Sequence, residues 1–225
     1  LAQERLWFQH LYDEDSAVYN IPMVVESDAR LDAATLQAAV REVIDRHEPL
    51  RTAIVNEGGS AAAHLLPASA WTLDCPGELE ESDPQHTQLA DAQTQQAFDL
   101  ATDFMLRASL VHRRDGGSRL YLTLHHIAAD GGSLAVLLRE IEHAYQTLAQ
   151  GRPTGLAALT HRFSDHAAWQ RGQLKGERLQ QHAEYWRQRL HGARQQQAAH
   201  AHLQLAAAAR WLEAGGGLLD GAAQR

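Results

Sequence analysis

Residues 119–151, RLYLTLHHIAADGGSLAVLLREIEHAYQTLAQG, decide the fold prediction, because this single segment predicts a strand, a polar loop and a helix. Leucines at every second position lead up to two adjacent histidines, which is the period of a strand. After the loop, Ser133 is a candidate helix N-cap and Gly151 a candidate helix end. Apolar residues between them recur at helical spacing: Leu134, Leu137, Leu138, Ile141, Tyr145 and Leu148. The segment therefore predicts a helix packed on a sheet.

The preceding residues extend this unit into a mixed arrangement. Residues 19–27 alternate as a strand, and a helix follows that Asp32 caps and Pro49 ends. The DGGS sequence at 115–118 predicts a hairpin between two further strands. The predicted order β-α-β-β-α-β-β-α places the chain in the α/β class, as an α+β sandwich with helices packed on a mixed sheet.

Three segments carry weaker patterns. The polar stretch with Pro76 and Gly77 is predicted to be a loop, and residues 161–192 a loop followed by one long surface helix. Residues 194–225 are rich in Ala, Gln and Gly, which predicts weakly specified helix and a flexible tail. The chain begins without methionine, inside a helical pattern, and we expect it to be a piece of a longer polypeptide.

Composition excludes several functions. The net charge is −8, and the longest basic run has two residues, so nucleic acid is not expected as a partner. No apolar stretch approaches the length of a membrane span, and we expect no membrane partner. The one cysteine, Cys75, excludes a disulfide framework and a thiolate metal cluster. A cytoplasmic location fits this cysteine usage.

The two histidines at the strand end can be assigned different environments. Neighbouring strand residues point to opposite faces, so His125 and His126 cannot easily serve one metal, and no metal site is predicted. His126 shares the leucine face, where it can stay neutral and accept a proton. Asp130 is a partner base or a structural anchor, while Gly131 and Gly132 allow unusual backbone angles and close approach of a ligand. The alternative is that all these polar residues are structural.

Four short motifs resemble those of condensation domains of nonribosomal peptide synthetases, and they occur along this chain in the same order as in that family. The loop segment HHIAADG fits the pattern HHxxxDG of that family. The other three motifs are LAQERLWF at 1–8, RHEPLRT at 46–52 and FSDHAAWQ at 163–170. The later segment YWRQRLHGA at 185–193 also resembles family sequence, so the resemblance extends from the first residue to about Ala193.

The resemblance implies a two-lobed, chloramphenicol-acetyltransferase-like fold with a tunnel between the lobes. Phosphopantetheine arms of peptidyl or acyl carrier protein domains would bring both substrates to the tunnel, and no cofactor would bind to the chain directly. The amine of the downstream aminoacyl thioester would attack the upstream acyl thioester and form an amide. An adenylation domain and a second lobe would be further partners within the parent synthetase.

The resemblance also assigns roles to single residues. His126 would be the catalytic histidine, a general base or a positioner of the amine, and Gly131 would offer its amide N–H to the oxyanion. His125 would support the site, and Arg46 would serve the fold. Asp130 would form a buried ion pair with Arg51, and removing one partner of such a pair costs about 3–5 kcal/mol.

Two features depart from the family pattern. Gly132 stands where the family usually has an aromatic residue, and the sequence after residue 193 matches no family motif. We therefore expect residues 1–193 to form the N-terminal lobe and the start of the linker helix, and 194–225 a divergent tail with the second lobe absent. Two alternatives stay open: an inactive remnant or carrier-binding fragment, and another HHxxxDG acyltransferase or an epimerization domain.

Overall fold

The computed structural model describes residues 2–80 and 82–191, which fall into a unit of residues 2–159 and a separate unit that begins at residue 160. The larger unit has four helices: α1 (Ala2–His10), α2 (Ala33–Arg46), α3 (Gln85–Gln95) and α4 (Gly131–Ala149). Its strands are β1 (Asn20–Ser27), β2 (Thr52–Glu57), β3 (Ser60–Leu65), β4 (Asp74–Leu79), β5 (Leu106–Arg113) and β6 (Ser118–His125). Short 3-10 helices lie at Glu48–Arg51 and Ala68–Ala70.

The main sheet has four strands in the order β1-β6-β5-β4. Strand β6 is antiparallel to both of its neighbours, β1 and β5, whereas β4 is parallel to β5. The predicted α/β class with a mixed sheet is therefore confirmed. Strands β2 and β3 form a separate hairpin, whose turn uses positive φ angles at Gly58 and Gly59.

Both faces of the main sheet are covered. Helices α2 and α4 pack against the face that carries the alternating leucines of β6, and their buried apolar side chains form one core with it. Its most buried members are Val40, Val43, Ile44, Leu106, Leu110, Leu122 and Leu124. On the other face α3 packs Leu89 and Ala90 on a smaller apolar cluster. Polar contacts add to this, since Thr123 donates a hydrogen bond to the backbone of Gln93 and His86 pairs with the hydroxyl of Tyr121.

Two features of the larger unit differ from the sequence predictions. The stretch with Pro76 and Gly77, predicted to be a loop, is the edge strand β4, with an irregular register and a positive φ at Gly77. Helix α4 begins at Gly131, and its N-cap is Asp130 rather than the predicted Ser133. The predicted cap at Asp32 is confirmed, because its carboxylate accepts a hydrogen bond from the Thr35 N–H.

The second unit, as far as it is described, contains two helices, α5 (Phe163–Gln173) and α6 (Gly176–Arg189), where one long helix was predicted. Gly176 has a positive φ at the start of α6. The predicted tail at 194–225 lies outside the described residues. No helix in the described part of the chain is both long and apolar enough to cross a membrane.

Candidate functional site

The two histidines lie where β6 ends: His125 is the last residue of this strand, and His126 is the first residue of the loop that leads to α4. The His125 N–H donates to the Met105 carbonyl at 3.2 Å, on the β5 side. The His126 N–H donates to the Tyr19 carbonyl at 2.9 Å, on the β1 side. A turn then closes with a hydrogen bond from the Ala128 N–H to the His125 carbonyl. The backbone of both histidines is thus held by the two neighbouring strands.

His125 is a buried, neutral imidazole. Its side chain contacts the rings of Phe98 and Tyr19, with centroid distances of 5.5 and 6.0 Å. Burial lowers the pKa of His125 from 6.5 to about 4, with smaller contributions from the positive charges of His10, His126 and Arg107. Its Nδ1 accepts a hydrogen bond from the Ile127 N–H at 3.0 Å, so the neutral ring carries its proton on Nε2.

His126 is half-buried and follows directly on this buried neighbour. The next residue, Ile127, is held on both sides, because its N–H binds His125 and its carbonyl accepts from the Gln3 side chain at 3.1 Å. The imidazole of His126 therefore projects from a backbone segment with fixed amides before and after it. A half-exposed imidazole on a rigid backbone can take a proton from a nucleophile that is held in front of it.

Asp130 caps α4 within a capping box. Its carboxylate accepts from the Ser133 hydroxyl at 2.7 Å and from the Ser133 N–H at 2.9 Å, and the Ser133 hydroxyl accepts from the Asp130 N–H. The hydrogen bond from the Ser133 hydroxyl is the largest cause that lowers the pKa of Asp130, followed by the Ser133 N–H; the imidazole of His126, in its charged form, adds a smaller contribution. Asp130 is therefore a carboxylate near His126 whose hydrogen bonds serve the helix start.

Gly131 and Gly132 open α4 and are exposed. Neither has a positive φ, so the expectation that they provide unusual backbone angles is wrong. A Cβ built on Gly131 would meet no atom within 4 Å, and one on Gly132 would meet only the Asp130 carboxylate at 3.5 Å. The space in front of the helix start is open, as close approach of a ligand requires.

The ion pair expected between Asp130 and Arg51 is wrong, because each side chain has other partners. The Arg51 guanidinium donates to the Leu66 carbonyl at 3.1 Å and lies 3.4 Å from the Asp45 carboxylate. It thereby ties the 3-10 helix after α2 to the end of β3. The physical reason is that Asp130 is held at the start of α4, where its Oδ1 accepts both hydrogen bonds from Ser133.

Arg46 contacts α4 well inside the helix. Its guanidinium Nε lies 3.1 Å from the Glu140 carboxylate, which His47 also contacts at 2.7 Å. Another nitrogen of the Arg46 guanidinium donates to the Ala157 carbonyl. Glu140 lies nine residues beyond Gly131, about 14 Å along a helix axis. These contacts agree with a role for Arg46 in the fold.

Sequence reasoning did not single out three residues that surround His125: Tyr19, Phe98 and Arg107. Phe98 belongs to the short segment after α3, and Arg107 lies on β5 with its guanidinium carbon 3.9 Å from the centre of the Phe98 ring. The alternation of β5 could have placed Arg107 on the same face as Thr123 and His125. Among the described residues, no group of three or more histidine, cysteine or acidic side chains is arranged to hold a metal.

In this structure the HHxxxDG sequence joins β6, a central strand of the main sheet, to the capped helix α4. The family model described as "Condensation domain" matches residues 1–209. The chain therefore belongs to the condensation domain family. The matched range extends past residue 193, and the predicted boundary there stays a prediction.

The relatives are much longer proteins than this chain. The dimodular nonribosomal peptide synthase of Bacillus subtilis is 36% identical over 179 residues, which cover 78% of this chain and 7% of that protein. The solved X-domain from teicoplanin biosynthesis is 32% identical, with a TM-score of 0.76, over 86% of this chain and 43% of that structure. A condensation domain structure that concerns chain release from the enacyloxin polyketide synthase is 25% identical, with a TM-score of 0.68, over 86% and 38%. The chain thus spans about two fifths of these solved structures.

Proposed function

We propose that this chain is the histidine-bearing part of a condensation domain that forms an amide within a nonribosomal peptide synthetase. The donor is an acyl or peptidyl thioester on an upstream carrier protein, and the acceptor is the amine of an aminoacyl thioester on a downstream carrier. The observation that carries the proposal is the placement of His126. Its half-buried imidazole stands on a fixed backbone beside the open, capped start of α4.

In the proposed reaction the amine nitrogen attacks the thioester carbonyl and forms a C–N bond. His126 orients the amine and accepts its proton as the bond forms, because a neutral imidazole can do so near neutral pH. Gly131 is the first residue of α4, so its N–H has no acceptor within the helix and can face the developing oxyanion. The C–S bond then breaks, and the departing phosphopantetheine thiolate takes the proton from His126.

In this proposal His125 and Asp130 support the site without touching substrate. His125 holds the Ile127 amide, and Asp130 holds the start of α4. Arg46 and Arg51 stabilise the fold around α2. The partners are the two carrier domains, an adenylation domain and the second lobe of the parent synthetase, and the location is cytoplasmic. No cofactor binds to the chain itself, since the phosphopantetheine belongs to the carriers.

The test is amide formation between two loaded carrier proteins, with this chain alone and with the complementary lobe of a related domain supplied in trans. His126→Ala should lower the rate about 100-fold or more, the usual contribution of a general base. His112→Ala is the matched control, because His112 is also half-buried but lies at the opposite end of the β5–β6 hairpin. Its rate should equal that of the unchanged chain.

Equal rates for His126→Ala and the unchanged chain would refute the catalytic role. A folded chain that makes no amide in either format, yet binds a loaded carrier, would instead support the carrier-binding fragment.

A further inference from the structure

We propose that Arg107 and Phe98 are positioning residues for His126, and that they act through the buried imidazole of His125. The proposal rests on the proposed function, because positioning matters only if His126 meets substrate. Four side chains or amides form a continuous series: the Arg107 guanidinium, the Phe98 ring, the His125 ring and the Ile127 N–H.

The first step of this series fixes Phe98. The guanidinium carbon of Arg107 lies 3.9 Å from the centre of the Phe98 ring. The same guanidinium donates to the carbonyls of Gln96 and Ala97, at 2.5 and 3.3 Å. Arg107 therefore holds both the backbone before Phe98 and the face of its ring. These hydrogen bonds link the segment that follows α3 to β5.

The second step fixes the orientation of His125. The Phe98 ring is almost fully buried and meets the His125 ring at a centroid distance of 5.5 Å and an angle of 71°, an edge-to-face contact. Tyr19 contacts His125 as well, at 6.0 Å and 59°. A buried imidazole that contacts two aromatic rings loses packing with both when it turns about its Cβ–Cγ bond.

The third step transfers this orientation to the backbone of His126. Only one orientation of the His125 ring places Nδ1 toward the Ile127 N–H, and the flipped ring would present a C–H there instead. The hydrogen bond joins the residue before His126 to the residue after it. Loss of the bond would leave a buried N–H without an acceptor and remove one of the hydrogen bonds that hold the turn around His126. The orientation of His126 thus depends on Phe98 and Arg107, which are not in contact with substrate.

Hydrogen exchange and nitrogen-15 spectra of the full chain test this link without any substrate. In Arg107→Gln and in Phe98→Leu, the Ile127 amide should exchange at least about tenfold faster, since it loses a stable acceptor. The nitrogen-15 chemical shifts of the His125 ring should move from those of the Nε2–H tautomer toward those of a mixture of both tautomers. The Leu110 amide, in the centre of the β5–β6 hairpin, reports global stability and should change much less.

Two further variants separate positioning from folding. Arg113→Gln is the matched control, because Arg113 lies on the same strand but pairs with the carboxylates of Glu26 and Asp115 at the surface. It should leave both signals of the His125–Ile127 pair unchanged. Arg107→Lys keeps the charge and should fold even if the glutamine variant does not, yet it lacks the flat group that stacks on Phe98. It should still accelerate exchange at Ile127.

The amide-formation assay completes the test. Arg107→Lys and Phe98→Leu should lower kcat severalfold with little change in KM, since they misorient His126 rather than block binding. Exchange at Ile127 that stays unchanged, or rises only as much as at Leu110, would overturn the inference, as would unchanged kcat in variants with faster exchange. If the unchanged chain makes no amide while Ile127 exchange responds selectively, the proposed function fails and the structural link through His125 stands.

Discussion

Acidification should destabilise this protein through His125, and the size of the effect follows from its burial. The folded state lowers the pKa of His125 from 6.5 to about 4, chiefly because the charged imidazole would lose its hydration. Between these two values the unfolded chain binds a proton that the folded chain rejects. The free energy of unfolding therefore falls as the pH drops from about 6.5, and this contribution levels off below about 4.

The magnitude is about 3 kcal/mol, because each pKa unit corresponds to about 1.4 kcal/mol. The carboxylates with lowered pKa values, among them Asp32, Asp99 and Asp130, start from an ordinary value of 3.8. Their effect on stability falls mostly below the histidine window. A loss between about pH 6.5 and 4.5 is therefore dominated by histidine.

Urea unfolding at a series of pH values, followed by circular dichroism, measures this loss. His125→Asn is the reference variant, because the asparagine Oδ1 can replace Nδ1 as acceptor for the Ile127 N–H but cannot be protonated. His112, whose pKa burial also lowers, titrates in both proteins and cancels in the difference. We expect the variant to lose about 3 kcal/mol less than the unchanged chain between about pH 6.5 and 4. Parallel curves for the two proteins would refute the reasoning.

Two further substitutions test the helix start and the hairpin by the same unfolding measurement. Asp130→Ala should cost about 1 kcal/mol, the usual value for a lost N-cap, whereas a buried ion pair would cost about 3–5 kcal/mol. Gly117→Ala should cost about 1–3 kcal/mol, because its Cβ would lie 2.7 Å from both the Arg113 guanidinium and the Ser27 carbonyl. Each substitution has a control within the chain. Asp130→Asn keeps an acceptor for the Ser133 N–H and should cost only a few tenths of a kcal/mol; a large loss there would contradict the capping role. Gly172→Ala, inside α5 with no atom within 4 Å of the added Cβ, should be neutral or stabilising. A Gly117→Ala protein as stable as the unchanged chain would mean that the Arg113 side chain and the backbone at Ser27 can both shift without cost.

The central part of the fold was predicted well from sequence, because β6 and α4 follow clear periods. The alternating leucines and the helical spacing after the loop each reflect burial on one face, which is a local property of the pattern. Strand β4 was missed because Pro76 and Gly77 are turn residues by themselves. Its strand conformation comes from pairing with β5, which lies about thirty residues further along the chain.

The site was predicted less completely, for a related reason. His126 and Asp130 were found because their motif is contiguous, but the partner of Asp130 depends on which group is closer once the chain is folded. Ser133, three residues away, binds the Asp130 carboxylate in the capping box, while Arg51 pairs with Asp45 and donates to the Leu66 carbonyl. The residues around His125 come from three separate segments, and only the folded sheet brings them together.

The two outer strands of the main sheet share a feature that bears on self-association. Within the part of the chain that the structure describes, β1 and β4 pair on one side only, and they contain Pro22 and Pro76. Tyr19 forms a hydrogen-bonded pair with His126, and such pairs alternate with non-hydrogen-bonded pairs along an antiparallel ladder. Pro22, three residues further along β1, is therefore in a non-hydrogen-bonded pair, and its nitrogen points away from β6. An incoming strand would meet a ring there instead of an N–H, and the irregular register of β4 presents a similar mismatch. Neither edge strand can therefore pair regularly with a strand of another chain, and this disfavours edge-to-edge association of the protein.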